Sequence, residues 1–120
     1  MKNILIVDDD EAVLKLLEAF LVSKGGLQVS AALDGEAALQ AMKKTRPDLV
    51  ILDVIMPRLD GYGFLREVKK VEAWRSIPVI VLTAREMMRD VFIQEGVKDF
   101  VTKPYEPEEL YRIMSKYLAA

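Results

Sequence analysis

The sequence predicts an open α/β domain, with one parallel sheet wound between two layers of helices. Three observations carry that prediction. Residues 4–7, 49–52, 79–82 and 100–102 form short runs that are continuously or nearly continuously apolar, as strands buried on both faces require. Patterns of helical period lie between them, so strand and helix alternate five times along the chain. Each run also stops at a polar residue suited to phosphoryl chemistry: Asp8, Asp53, Thr83 and Lys103. Parallel strands share one carboxyl edge, so these four side chains are expected to meet where sheets of this class bind ligands.

Taken in order, residues 4–7 give the first strand. Asp10 and Glu11 then open a helix, since acids suit the positive end of a helix dipole. Val13, Leu14, Leu17 and Leu21 fall on one side of it, and Gly25-Gly26 closes it. Residues 27–31 give a strand of weaker apolar pattern. Asp34-Gly35 leads into a helix over 36–44, and Pro47 prevents its continuation. Residues 49–52 are the second strongly apolar strand, followed by a turn-rich loop from Pro57 to Gly61. A helix is expected over 62–71, with Phe64, Leu65 and Val68 inward and Trp74 covering its end. A strand over 77–82 enters through Pro78. A short helix over 86–94 precedes the last strand, 97–102. Pro107 with Glu106, Glu108 and Glu109 then starts a final helix whose inner side is Leu110, Ile113, Met114 and Tyr117.

At 120 residues this is a single domain, 1–120, with no linker, repeat or low-complexity segment. A 52% hydrophobic and 30% charged composition excludes intrinsic disorder. The net charge of −2, without a basic stripe, argues against direct nucleic-acid binding. Without cysteine there are no disulfides or thiolate metal sites. Without histidine there is no phosphohistidine carrier and no usual general base. No run is long enough to span a membrane, and the start does not resemble a signal peptide, so a cytoplasmic home is expected.

Asp53 ends the central apolar run and is the candidate nucleophile, because a carboxylate can accept a phosphoryl group as an acyl phosphate. Asp8 and Asp9 arrive beside it from the neighbouring strand. Three like charges so close require a cation, and hard oxygen donors favour Mg²⁺. Lys103 adds a positive charge for a phosphoryl oxygen, with Pro104 restricting its backbone. Thr83 offers a hydroxyl. Asp10 and Glu11 are read as capping residues instead, Gly61 and Gly63 as turn and packing residues, and the methionines as packing.

Asp8-Asp9, Asp53, Met56-Pro57 with Asp60-Gly61, Thr83-Ala84 and Lys103-Pro104 together resemble the receiver domains of two-component response regulators. Each dipeptide is weak alone, whereas the ordered set is specific and covers the whole chain. The resemblance implies a flavodoxin-like doubly wound (βα)5 three-layer sandwich with strand order 2-1-3-4-5. It implies that Asp53 is the phosphoacceptor, that Asp9, Asp53 and the Ile55 backbone carbonyl ligate Mg²⁺, and that Asp8 holds a metal-bound water. Lys103 would pair with the phosphoryl group, Thr83 would move towards it, and Phe100 would turn inward as a switch.

The implied phosphodonor is a sensor histidine kinase or a phosphotransfer protein, with small acyl phosphates as substitutes. The implied output is a partner or output domain reading the face made by the fourth helix, fifth strand and fifth helix. Met87, Met88, Phe92, Tyr105 and Tyr111 are candidates for that face, and a phosphorylation-dependent homodimer is one assembly it allows. The stretch from Thr83 to Lys103 is shorter than usual for such domains by about half a helical turn. Ile55 and Arg85 flank the path of an attacking water and are expected to tune phosphoryl lifetime.

Three rival readings compete with this one. A phosphohydrolase of the haloacid dehalogenase type needs a second aspartate where Ile55 stands. A flavin binder needs a hydroxyl-rich loop where Asp8-Asp9-Asp10 would repel phosphate. A pseudo-receiver would lack part of the acidic and basic set that is present. The expectation is therefore a switch that is not an enzyme in its own right, beyond assisting its own phosphorylation and slow dephosphorylation.

Overall fold

The computed structural model describes residues 1–53, 61–83, 96–102 and 105–118. Its five strands are β1 (Lys2–Val7), β2 (Leu27–Ala32), β3 (Leu49–Asp53), β4 (Val79–Thr83) and β5 (Asp99–Thr102). They form one parallel sheet in the order β2-β1-β3-β4-β5, the order that the resemblance implies. The described helices are α1 (Glu11–Ser23), α2 (Gly35–Lys44), α3 (Gly61–Lys69) and a terminal helix (Pro107–Leu118), with a 3₁₀ turn at Glu72–Trp74. The predicted helix over 86–94 lies outside the described residues.

Period-two alternation divides the strand side chains between two cores. Leu5, Val7, Val50, Leu52, Val79 and Val81 face α2 and α3, where Ala38, Met42, Phe64, Leu65 and Val68 pack on them. Ile4, Ile6, Leu49, Ile51, Ile80 and Leu82 face α1 and the terminal helix, meeting Leu14, Leu17, Leu21, Leu110 and Met114. Because β1, β3 and β4 are covered on both sides, residues 4–7, 49–52 and 79–82 are apolar at every position. β2 lies at the sheet edge and alternates more freely, with Leu27 and Ala32 buried and Gln28 and Ser30 exposed. Trp74 is buried as a member of the first core, so it does more than cover the end of α3.

Several boundaries move by one or two residues. β4 starts after Pro78, which has no N–H for the ladder, although its carbonyl accepts from Val50. β5 starts at Asp99, where regular pairing with Ile80 begins. Gly61, expected in the loop, is the first residue of α3. No described helix is long and apolar enough to cross a membrane.

Candidate functional site

Strand register brings the acids together. β1 and β3 pair with Val7 opposite Leu52, so the next residues, Asp8 and Asp53, leave the same edge side by side. Neighbouring strands stand roughly 4.8 Å apart, which sets the scale of the cluster. Carboxylate oxygens of Asp8, Asp9 and Asp53 all lie within 4.8 Å of one another. Asp8 is only 3% exposed and Asp53 8%, and these are the two buried charged residues among those described. Asp9 is exposed and closes the cluster from the solvent side.

The chain after β1 is built to hold this geometry. The Asp8 amide donates to the Ala32 carbonyl at 3.1 Å, continuing the β1–β2 ladder by one residue. Asp8 Oδ1 accepts from the Asp10 amide at 2.9 Å, an Asx-type turn that fixes the carboxylate. Asp10 in turn caps α1, its Oδ1 accepting from Ala12 at 3.0 Å and Val13 at 3.3 Å. Three consecutive aspartates therefore do three separate things: one is locked, one is free to meet solvent or a ligand, and one starts a helix. Asp10 is the cap that its position predicts. The Asp8–Asp10 bond was not foreseen, although an acid two residues before a cap is its signal.

Of the other predicted site residues, Thr83 ends β4 opposite Thr102 of β5, at the same sheet edge as Asp53. Phe100 pairs in register with Val81 and is 7% exposed, packed in the core shared with α2 and α3. Ile55, Pro57, Ala84, Lys103 and Pro104 lie outside the described residues.

Chemically, three carboxylates at this spacing cannot all carry charge cheaply in a partly buried setting. A divalent cation resolves the conflict. The donors are all hard oxygens, drawn from two strands and open to solvent on one side. That set suits Mg²⁺, which takes few protein carboxylates and keeps several waters.

Similarity to known proteins agrees with this geometry. A family model described as response regulator receiver domain matches residues 4–115. Response regulator Rre1 of Synechocystis sp. is 37% identical over 119 residues, covering 98% of this chain and 52% of that protein. The chain thus spans about half the length of the curated relatives it matches. The signal receiver domain of a signal transduction histidine kinase from Syntrophus aciditrophicus aligns with a TM-score of 0.89 at 36% identity, over 99% of this chain and 91% of that one. The receiver domain of sensor histidine kinase PA1611 from Pseudomonas aeruginosa aligns with a TM-score of 0.89 at 33% identity, over 99% of this chain and 98% of that one. Its structure holds a magnesium ion coordinated in the active site cleft.

Proposed function

The chain belongs to the response regulator receiver domain family, and from that premise we propose that it is a Mg²⁺-dependent phosphorylation switch with Asp53 as the phosphoacceptor. The observation that carries the reading is the set of three carboxylates within 4.8 Å at the carboxyl edge of the sheet. Asp53 is held at the end of a strand whose other residues are buried, which aims its carboxylate at the edge. One Asp53 oxygen attacks phosphorus, the bond to the donor nitrogen or acyl oxygen breaks, and an acyl phosphate forms. Asp9 and Asp53, with the Ile55 carbonyl, would ligate the metal directly, and Asp8 would hold one of its waters. The bound cation supplies charge neutralisation for both the acidic cluster and the transferring group.

Lys103 and Thr83 would receive the remaining phosphoryl oxygens. Contacts there favour one packing of the last strands and helices over another, so phosphorylation acts by population shift. Thr83 and Thr102 are register partners, and Phe100 stands two residues before Thr102, so a change at the β4 end reaches Phe100 through the ladder. The donor is a histidine kinase or phosphotransfer protein, and the reader is a partner or output domain at the face that includes β5 and the terminal helix. Turnover of an organic phosphate is not part of this function, apart from slow loss of the phosphoryl group from Asp53.

Mass spectrometry after incubation with Mg²⁺ and acetyl phosphate tests the proposal. The wild type should gain one phosphoryl group that Mg²⁺ removal prevents, and Asp53→Asn should gain none while keeping its fold by circular dichroism. Labelling of the Asp53→Asn protein at the native rate would overturn the assignment. So would failure of the wild type with both acetyl phosphate and a cognate kinase.

A further inference from the structure

Away from the acidic edge, one cation is gripped by two helices that are remote in sequence. Lys24 is the C-cap of α1, where its backbone N–H donates to the carbonyls of Leu21 and Val22. Its Nζ donates to Glu108 Oε1 at 2.5 Å, across 84 positions of sequence. The same Nζ stands 5.0 Å from the centroid of the Phe20 ring and 5.2 Å from that of Tyr111. Phe20 belongs to α1, whereas Glu108 and Tyr111 belong to the first turns of the terminal helix.

An exposed ion pair alone stabilises little. Here the ammonium also meets two aromatic faces within the range of cation–π attraction. Both rings are partly buried against the core under α1, so they are not free to follow the lysine outward. Its root is fixed as well: Gly25 and Gly26 follow at φ 78° and 76°, a left-handed turn that sets where α1 ends. Glu108 is placed favourably besides, as an acid in the first turn of its helix. Glu108 and Tyr111 line, with Glu106, Glu109, Arg112 and Ser115, an open concavity of about 590 Å³.

We infer that Lys24 is a positioning residue for the terminal helix: it clamps the first turns of that helix onto α1 and thereby sets the shape of the Glu108–Tyr111 corner, without acting on the chemistry at Asp53. The functional weight of the clamp rests on the reading of the terminal helix as part of the face a partner recognises. Its existence does not.

Hydrogen exchange of the full chain, followed helix by helix, provides the test. Lys24→Met keeps the apolar stem and removes the charge, so it should speed exchange in the terminal helix by about fivefold to tenfold. Lys24→Arg should restore most of the protection. Glu108→Gln added to Lys24→Met should cost less than the sum of the two single changes, because both break the same ion pair. Labelling of Asp53 by acetyl phosphate should proceed at the native rate in every variant. Unchanged exchange in Lys24→Met, full additivity in the double variant, equal acceleration in α2 and α3, or slowed labelling would each overturn the clamp. Absence of labelling in the wild type as well would count against the phosphoacceptor reading and not against the clamp, which the exchange pattern decides by itself.

Discussion

Tyr117 shows how much a single hydroxyl depends on its surroundings. It donates to Asp99 Oδ2 at 3.0 Å and lies 3.1 Å from the Lys98 carbonyl. Burial raises its pKa, and the hydrogen bond and negative charge of Asp99 raise it further. Both effects favour the neutral phenol in the folded state. The sign follows by linkage: the contribution to stability is fully present below the unfolded pKa near 10 and is lost as pH rises through the higher folded value. Tyrosinate absorbance of the wild type minus that of Tyr117→Phe should therefore titrate with a midpoint above 10. Chemical unfolding should lose a component of its alkaline pH dependence in the same variant. A difference midpoint at or below the ordinary tyrosine value would show that Asp99 does not hold the phenol in solution. Asp8 and Asp53 differ from Tyr117 in kind, because each is a buried carboxylate that lies beside two others.

α1 ties the site to the rest of the domain, and its first turn can be tested separately from the chemistry. Asp10→Ala removes the acceptor for the Ala12 and Val13 amides and should cost about 1 kcal/mol in urea unfolding. The backbone amide that holds Asp8 survives this change, so Mg²⁺ affinity should stay close to native; a large loss would mean that the cap and the metal site are one unit. Elements of this kind were legible in the sequence wherever burial on both faces left an unbroken apolar run, as in residues 49–52, or where a cap residue preceded a periodic stretch, as at Asp10 and Asp34. Strand ends were less so. β4 and β5 begin two residues later than the strands expected over 77–82 and 97–102, because ladder pairing, and not hydrophobicity, decides where a strand starts. Of the site, the identities of Asp8, Asp9 and Asp53 were readable because each follows a buried strand. The meeting of Lys24 with Glu108, across 84 positions, and with Tyr111 depends on helix packing and leaves no local signal.

At the scale of the whole molecule, the sheet sets a conflict between folding and function. The register that aligns Val7 with Leu52 forces Asp8 and Asp53 together, and the turn after β1 adds Asp9. On the proposed reading, removal of the cation leaves a mutual repulsion that opposes the folded state, since the unfolded chain can separate the three. Asp9 is the exposed member, so neutralising it should relieve repulsion without burying an uncharged polar group in the core. In the presence of a chelator, Asp9→Asn should raise the urea midpoint, with a gain on the order of 1 kcal/mol and an unchanged slope. Saturating Mg²⁺ should reverse the order. The wild type then gains binding energy by mass action, about 2.7 kcal/mol at a hundredfold excess over its dissociation constant. Asp9→Asn, which lacks one of the proposed ligands, should gain less. The two unfolding curves should therefore cross as Mg²⁺ is added. An Asp9→Asn protein that is less stable than the wild type in chelator would mean that the acidic cluster is already compensated from within the fold, and that metal binding is not what the three carboxylates are arranged to meet.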